Sequence, residues 1–324
     1  MKNLLLALTC LVLIIGMTSC KKTSQQLIPV TVTLDWTPNT NHTGLYVALE
    51  QGLYKKQGLD VKIVQPGQGY TDQIVATGKS EFGVSYQENV TRARSENIPL
   101  VSIAAIIQHN TSGFASLKSA NIFSPKDFAG KRYGSWDSPS ELAVLKAVMT
   151  KSEADFTKVK VVSGITDFFS TIGRDADFEW IYAGWDGVEA KLRKMDLNYL
   201  ALRDLEPALD YYTPVIVTSE AIIKTKPDLV KRFMKATSEG YSFAIANPVS
   251  AAKILLKHAP ELKPELVVAS QKYLRAQYQA ESPEWGLQKR EVWQRLDDWM
   301  VKQGLLKTGI KIDDAFTNEF LPGQ

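Results

Sequence analysis

Val30-Thr31-Val32-Thr33-Leu34-Asp35-Trp36-Thr37-Pro38-Asn39-Thr40-Asn41-His42-Thr43-Gly44-Leu45-Tyr46-Val47-Ala48-Leu49-Glu50-Gln51 is the stretch whose reading decides the fold. Residues 30–34 form a β-branched, apolar run that reads as a strand, and residues 44–51 read as a helix opening at a Thr43-Gly44 turn. Neither period explains the loop between them, which carries Asp35, Trp36, Asn39, Asn41 and His42. A connector alone needs only glycine, proline and serine, so aromatic, amide and imidazole groups at a strand end point to recognition. The competing reading puts Trp36 in the core and makes Asn39 or Asn41 a helix cap.

The same alternation continues outward from this stretch. Residues 61–64 are strand-like, Thr71-Asp72 caps a helix that Gly78 stops, and residues 82–85 and 100–107 are further apolar runs. A second set begins near Ser119. Ser124-Pro125-Lys126-Asp127 starts a short helix, residues 132–134, 158–162 and 178–182 are strand candidates, and residues 139–149 and 186–192 are the helices between them. The chain then passes Tyr211-Tyr212-Thr213-Pro214 into the β-branched run 215–218, and from Asp228 it is nearly all helix. Leu229, Phe233, Ala236, Gly240 and Ala244 recur at spacings that share one helical face.

Strands alternating with helices imply parallel sheets covered on both faces. The order predicts an α/β protein of two lobes facing a cleft: residues 29–118 with 216–324, and residues 119–215. Hinges are expected at 118–121 and 212–214. Small molecules bind such folds where loops gather at the carboxyl ends of the strands.

Composition agrees with a globular chain. Of 324 residues, 44% are hydrophobic and 23% charged, which excludes disordered, collagen-like and disulfide-stapled classes. Charge is balanced, 38 Lys and Arg against 35 Asp and Glu, so no nucleic-acid surface is expected. Cys10 and Cys20 lie in the first 20 residues, and His42, His109 and His258 complete a thin supply of soft ligands. No cofactor and no zinc, haem or iron–sulfur site is expected; a carboxylate-built metal site stays open.

The amino-terminal segment reads as an export signal, residues 1–19. Lys2 supplies the charge, residues 4–15 a short apolar core, and Met17-Thr18-Ser19 the small residues before Cys20. A run of about a dozen apolar residues is too short for a span, which takes roughly 20. The cut point resembles a bacterial lipobox, with Met17 departing from the usual leucine. That likeness implies acylation of Cys20, with residues 20–28 as a tether to the membrane. An ordinary signal with an incidental cysteine is the alternative. The expected globule is extracytoplasmic, lipid-anchored and monomeric.

The stretch from Leu34 to Ala48 resembles the signature of substrate-binding proteins that feed thiamin-pyrimidine precursors to ABC importers. Gly52-Leu53-Tyr54-Lys55-Lys56-Gln57-Gly58-Leu59-Asp60-Val61, Gly83-Val84-Ser85-Tyr86-Gln87-Glu88 and Gly184-Trp185-Asp186-Gly187-Val188-Glu189-Ala190 extend the likeness over the mature chain. It implies a type II, periplasmic-binding-protein-like fold, no catalysis, and a permease with its ATPase as partners. The branch that carries formylaminopyrimidine is the nearer. A sister branch takes riboflavin or its precursors, and the motif does not separate the two.

A ligand of that class carries an amino donor beside a ring nitrogen on a flat π surface. Trp36, Tyr182 and Trp185 are the expected aromatic plates, with Glu189 as the carboxylate and Asp186 as its substitute. A solvated helix position is the rival reading for Glu189. Tyr86, Gln87 and Glu88 follow a strand and are candidates for hydrogen bonds to the ring. Asn39 and His42 come from the first loop, and Ser112 and Gly113 from the stretch after residue 107. Ser135-Trp136-Asp137-Ser138 opens a helix whose N–H groups suit a carbonyl or an anion. Two rival functions stand beside this one. The family resemblance extends to fungal pyrimidine-making enzymes that use iron and a cysteine-rich motif, which has no counterpart here. A ligand-free adhesion lipoprotein is the other. Gly67-Gln68-Gly69 lacks the third glycine of a dinucleotide fingerprint. Asp297-Asp298 reads as solvated, and Trp293 and Trp299 as core.

Overall fold

The computed structural model describes residues 26–67 and 70–324. The export signal, Cys20 and most of the tether lie outside the described residues, as do Gln68 and Gly69. In chain order the strands are β1 (Ile28–Thr33), β2 (Leu59–Val64), β3 (Phe82–Ser85), β4 (Leu100–Ala105), β5 (Ser112–Leu117), β6 (Arg132–Gly134), β7 (Lys160–Val162), β8 (Phe178–Tyr182), β9 (Leu197–Ala201) and β10 (Val215–Ser219). They form two five-stranded sheets, ordered β2-β1-β3-β10-β4 and β7-β6-β8-β5-β9. Each sheet belongs to one lobe of a two-lobed α/β fold.

The sheets are not purely parallel as expected. β10 runs antiparallel to both β3 and β4, and β5 antiparallel to β8 and β9. These are the two strands through which the chain enters a sheet from the other one. The first crossing also lies earlier than the expected 118–121. β5 pairs in the second sheet, so the chain leaves the first within residues 106–111. Periodicity could not reveal this, because an apolar strand does not say which core receives it. Phe114 decides it: its ring stands edge-on to Phe128, Tyr133, Phe178 and Trp180 of the second lobe. The return crossing lies between β9 and β10, spanning residues 212–214.

The first sheet is covered by the helices Thr43–Glu50 and Pro227–Ala246, whose approach is unusually close. A Cβ on Gly240 would stand 2.2 Å from the Gly44 carbonyl oxygen, and one on Gly44 would stand 2.3 Å from the Tyr241 ring. The glycine of the Thr43-Gly44 turn is thus required by helix packing. On the carboxyl side, the helix Arg290–Lys302 serves both cores. Trp293 is buried with β4 and β10 residues, whereas Leu296, Trp299 and Met300 pack into the second lobe. Trp293 and Trp299 are core, as read. Asp297 is not solvated; it is buried and accepts from the Ile310 N–H at 3.2 Å.

Gly240→Ala tests the helix contact. Alanine gains about 1 kcal/mol of helix propensity, but overpacking against an immovable carbonyl costs roughly 1–3 kcal/mol. A net loss of about 0–2 kcal/mol, centred near 1, is expected, read as a lower urea midpoint at constant slope. An unchanged midpoint would show that the two helices can separate without cost.

Candidate ligand site

A cavity of about 440 Å³ opens between the lobes at the carboxyl ends of β1, β3, β6, β7 and β8. The first lobe supplies Asp35, Trp36, Asn39, Tyr86 and Glu88; the second supplies Trp136, Glu179, Trp180, Tyr182, Trp185 and Asp186. Thr213, in the return crossing, also lines it.

β1 delivers Asp35 to this cavity, and its carboxylate is held from two sides. The His42 Nε2 stands 2.6 Å from Oδ1, and the Tyr86 hydroxyl donates to Oδ2 at 2.5 Å. His42 Nδ1 accepts from the Asn39 N–H at 3.2 Å, so Nε2 carries the proton given to Asp35. Burial pushes the Asp35 carboxyl up, but the His42 ring and the two hydrogen bonds outweigh it and hold the group below its usual range. Burial and the facing Asp35 charge drive the Tyr86 phenol well above its own. Tyr86 therefore stays a donor.

Trp36, Tyr86, Trp136, Tyr182 and Trp185 all reach this one cavity. Trp36 is 53% exposed and Trp136 40%, one from each lobe. The core reading of Trp36 fails. Trp136 meets Trp180 edge-on, with centroids 5.5 Å apart. Other expected contacts lie elsewhere. His42 is fully buried behind Asp35 and does not line the cavity. Asn39 lines it, but its side chain is spent as a cap: Oδ1 accepts from the Asn41 N–H at 2.9 Å and Nδ2 donates to the Thr37 carbonyl. Gln87 is buried and tied to the return crossing, accepting from the Tyr212 N–H at 2.9 Å. The Ser112 hydroxyl donates to Asn110, and Gly113 abuts Leu200 and Tyr199. Neither touches the cavity.

Glu189 also fails as the cleft carboxylate. One turn beyond Trp185, it pairs instead with Arg193 at 2.5 Å and Lys263 at 2.7 Å. The π-helical turn Ala183–Gly187 shifts the helix phase, so spacing alone misplaced it. Asp186, its named substitute, lines the cavity and accepts from the Tyr182 N–H at 3.1 Å. Sequence reasoning missed Asp35, Glu179 and Trp180. Asp35 stood in the quoted loop, directly after the strand, which was signal enough. Trp180 sat inside the strand candidate 178–182, where no loop position singled it out.

The ligand loops of the two lobes are joined through Ser270, which lies fully buried on the first-lobe helix Pro264–Leu274. Its hydroxyl stands 2.6 Å from that of Thr40 and also donates to the Gly184 carbonyl, next to Trp185. Glu189 and Lys263 form an outer tie beside it. Ser270→Ala should raise the ligand off-rate severalfold at a similar on-rate, since the tie acts in the assembled site. Equal off-rates by stopped-flow tryptophan fluorescence would assign Ser270 a folding role only.

Burial raises Glu88 and Glu179 to about 7 and Asp186 to about 6, above their ordinary values of 4.5, 4.5 and 3.8. Across that window the folded chain binds more protons than the unfolded one. Stability of the ligand-free protein should therefore fall as pH rises from about 5 to about 7.5. The lowered Asp35 acts only in more acid solution and does not oppose this slope. Urea midpoints across the range check it, and Glu88→Gln should flatten the slope.

A model of the family described as NMT1/THI5 like matches residues 39–251. The chain belongs to the NMT1/THI5-like family. Relatives span nearly its full length: it is 28% identical to the formylaminopyrimidine-binding protein of Halalkalibacterium halodurans, covering 95% of this chain and 96% of that one. It is 26% identical to the riboflavin-binding protein RibY of Chloroflexus aurantiacus, covering 91% and 86%. A 4-amino-5-hydroxymethyl-2-methylpyrimidine phosphate synthase of Legionella pneumophila is 24% identical over 73% of this chain and 76% of that one. Among solved structures, the alkanesulfonate-binding protein SsuA from Xanthomonas axonopodis pv. citri, bound to MOPS, superposes with a TM-score of 0.68. It is 14% identical, over 90% of this chain and 99% of SsuA, so the likeness concerns the fold alone, the two-lobed type II periplasmic-binding-protein fold.

Proposed function

We propose that this NMT1/THI5-like protein is an extracytoplasmic solute-binding lipoprotein that captures a thiamin pyrimidine precursor, of the formylaminopyrimidine or hydroxymethylpyrimidine type. It delivers the ligand to an ABC permease and its ATPase and performs no chemistry on it. The observation that carries this reading is that two part-exposed indoles, Trp36 and Trp136, face one cavity from opposite lobes together with the half-buried Asp186 carboxyl. A flat heterocycle fills the space between such plates, and stacking contributes about 0.5–1.5 kcal/mol per aromatic pair beyond area burial. A carboxyl held near 6 by burial exchanges its proton at neutral pH. It can therefore accept from an amino group while serving the adjacent ring nitrogen. Ligand contacts made by both lobes favour the closed form, which is the form a permease can distinguish from the empty one. The formylaminopyrimidine-binding relative supports the ligand class. Against the synthase reading, Cys10 falls in the segment read as an export signal and Cys20 is the residue read as acylated at its cut point.

A flavin-type ligand is the second reading, favoured by RibY and by a cavity of about 440 Å³, which admits more than a single small ring. A thermal-shift panel of hydroxymethylpyrimidine, formylaminopyrimidine, thiamin and riboflavin separates the two. A ligand in large excess over its Kd raises the melting point by several degrees. Trp36→Ala should weaken the responding ligand at least about tenfold by calorimetry, from lost stacking and burial. No response from any pyrimidine, with a response from riboflavin, would transfer the assignment to the flavin.

A further inference from the structure

We infer that the cleft refuses anionic ligands: it takes its heterocycle uncharged or cationic, and excludes the phosphorylated form of the same compound. The inference rests on the solute-binding reading for the identity of the heterocycle, but its charge logic comes from the walls. Asp35, Glu88, Glu141, Asp167, Glu179 and Asp186 line the cavity, and no lysine, arginine or histidine is among the described residues that do. Two of the lining residues also carry buried polar atoms that the protein leaves unpaired. Among the described residues, the Trp180 Nε1–H, on a residue 8% exposed, and the Thr213 hydroxyl, on one 2% exposed, have no hydrogen-bond partner.

A phosphate or sulfonate usually finds its donors at helix N-termini and in strand-end loops. Here those donors are already used by the chain's own acceptors. Glu141, in the first turn of the helix Pro139–Lys151, accepts from the Ser138 N–H at 3.3 Å, the Ser135 hydroxyl at 2.9 Å and the Tyr133 hydroxyl at 2.5 Å. The helix opening expected to hold an anion thus holds a carboxylate of the protein. Asp186 takes the Tyr182 N–H, and Asp167 the Phe169 N–H at 3.3 Å. The cations around the site are engaged outside it: Arg193 and Lys263 pair with Glu189, and Arg92, which acts on Glu88 from the same helix, does not line the cavity. Among the described residues, no three His, Cys, Asp or Glu side chains are grouped to hold a metal ion.

The test is calorimetry on the mature chain with hydroxymethylpyrimidine and its phosphate ester, and with riboflavin and its 5′-phosphate. In whichever pair binds, the ester should be weaker by about 100-fold or more at neutral pH, because like charges in a low-dielectric cleft repel strongly. An ester that binds as tightly as its alcohol overturns the inference and leaves the solute-binding reading intact. Failure of both pairs overturns the hydroxymethylpyrimidine and flavin readings, and a ligand-free measurement then decides the inference. Trp36 and Trp136 are the tryptophans with large exposure, so ionic quenching of indole fluorescence reports on the cleft. Caesium should quench clearly better than iodide at matched ionic strength, and Glu88→Gln with Glu179→Gln should narrow the gap. Equal quenching by the two ions overturns the inference.

Discussion

The carboxylate of Asp35 is the constraint on which the site depends. It leaves β1 into a cavity between lobes, a position that on its own would raise its pKa and neutralise it. His42 and Tyr86 prevent this, one from its own loop and one from the end of β3. Each reaches a different oxygen, so the carboxylate fixes the separation of two strand ends. The loop in turn orders itself around His42, since Asn39 both donates its N–H to that ring and caps the following turn. An imidazole that does not line the cavity therefore helps to fix where Trp36 stands.

Much of the architecture was legible in the sequence, because strand and helix periods are local. The strand 30–34, the helix from Gly44 and the core face through Phe233 and Gly240 needed no tertiary information. The destination of β5 was not legible: its apolar run suits either core, and only the ring cluster about Phe114 assigns it. Sites followed the same division. Aromatic residues named by position and type at strand ends, Trp36, Tyr86, Trp136, Tyr182 and Trp185, all line the one cavity. Glu189 was misplaced because a single π-turn rotates everything after it, and spacing arguments assume a regular helix. His42, Gln87 and Ser112 were polar residues in the right loops whose partners turned out to be backbone and carboxylate groups of the protein.

The cleft also shows how binding and folding stability are opposed. Carboxyls gathered without counter-ions are held partly protonated by burial, and their mutual proximity penalises the empty state as they ionise. A ligand bearing positive charge or several donors relieves that penalty. Part of its affinity then comes from repairing a local electrostatic defect.

The helix Arg290–Lys302 has a mechanical consequence. With Trp293 seated in one core and Trp299 in the other, it is a rigid spine pinned in both halves, and Arg295 fastens it to the Asp210 carbonyl near the return crossing. Such a spine permits the halves to swing like the covers of a book but resists their sliding past one another. Motion of the protein is thereby confined to a bend, and a bend moves the far edges of the cleft most while leaving the floor nearly still.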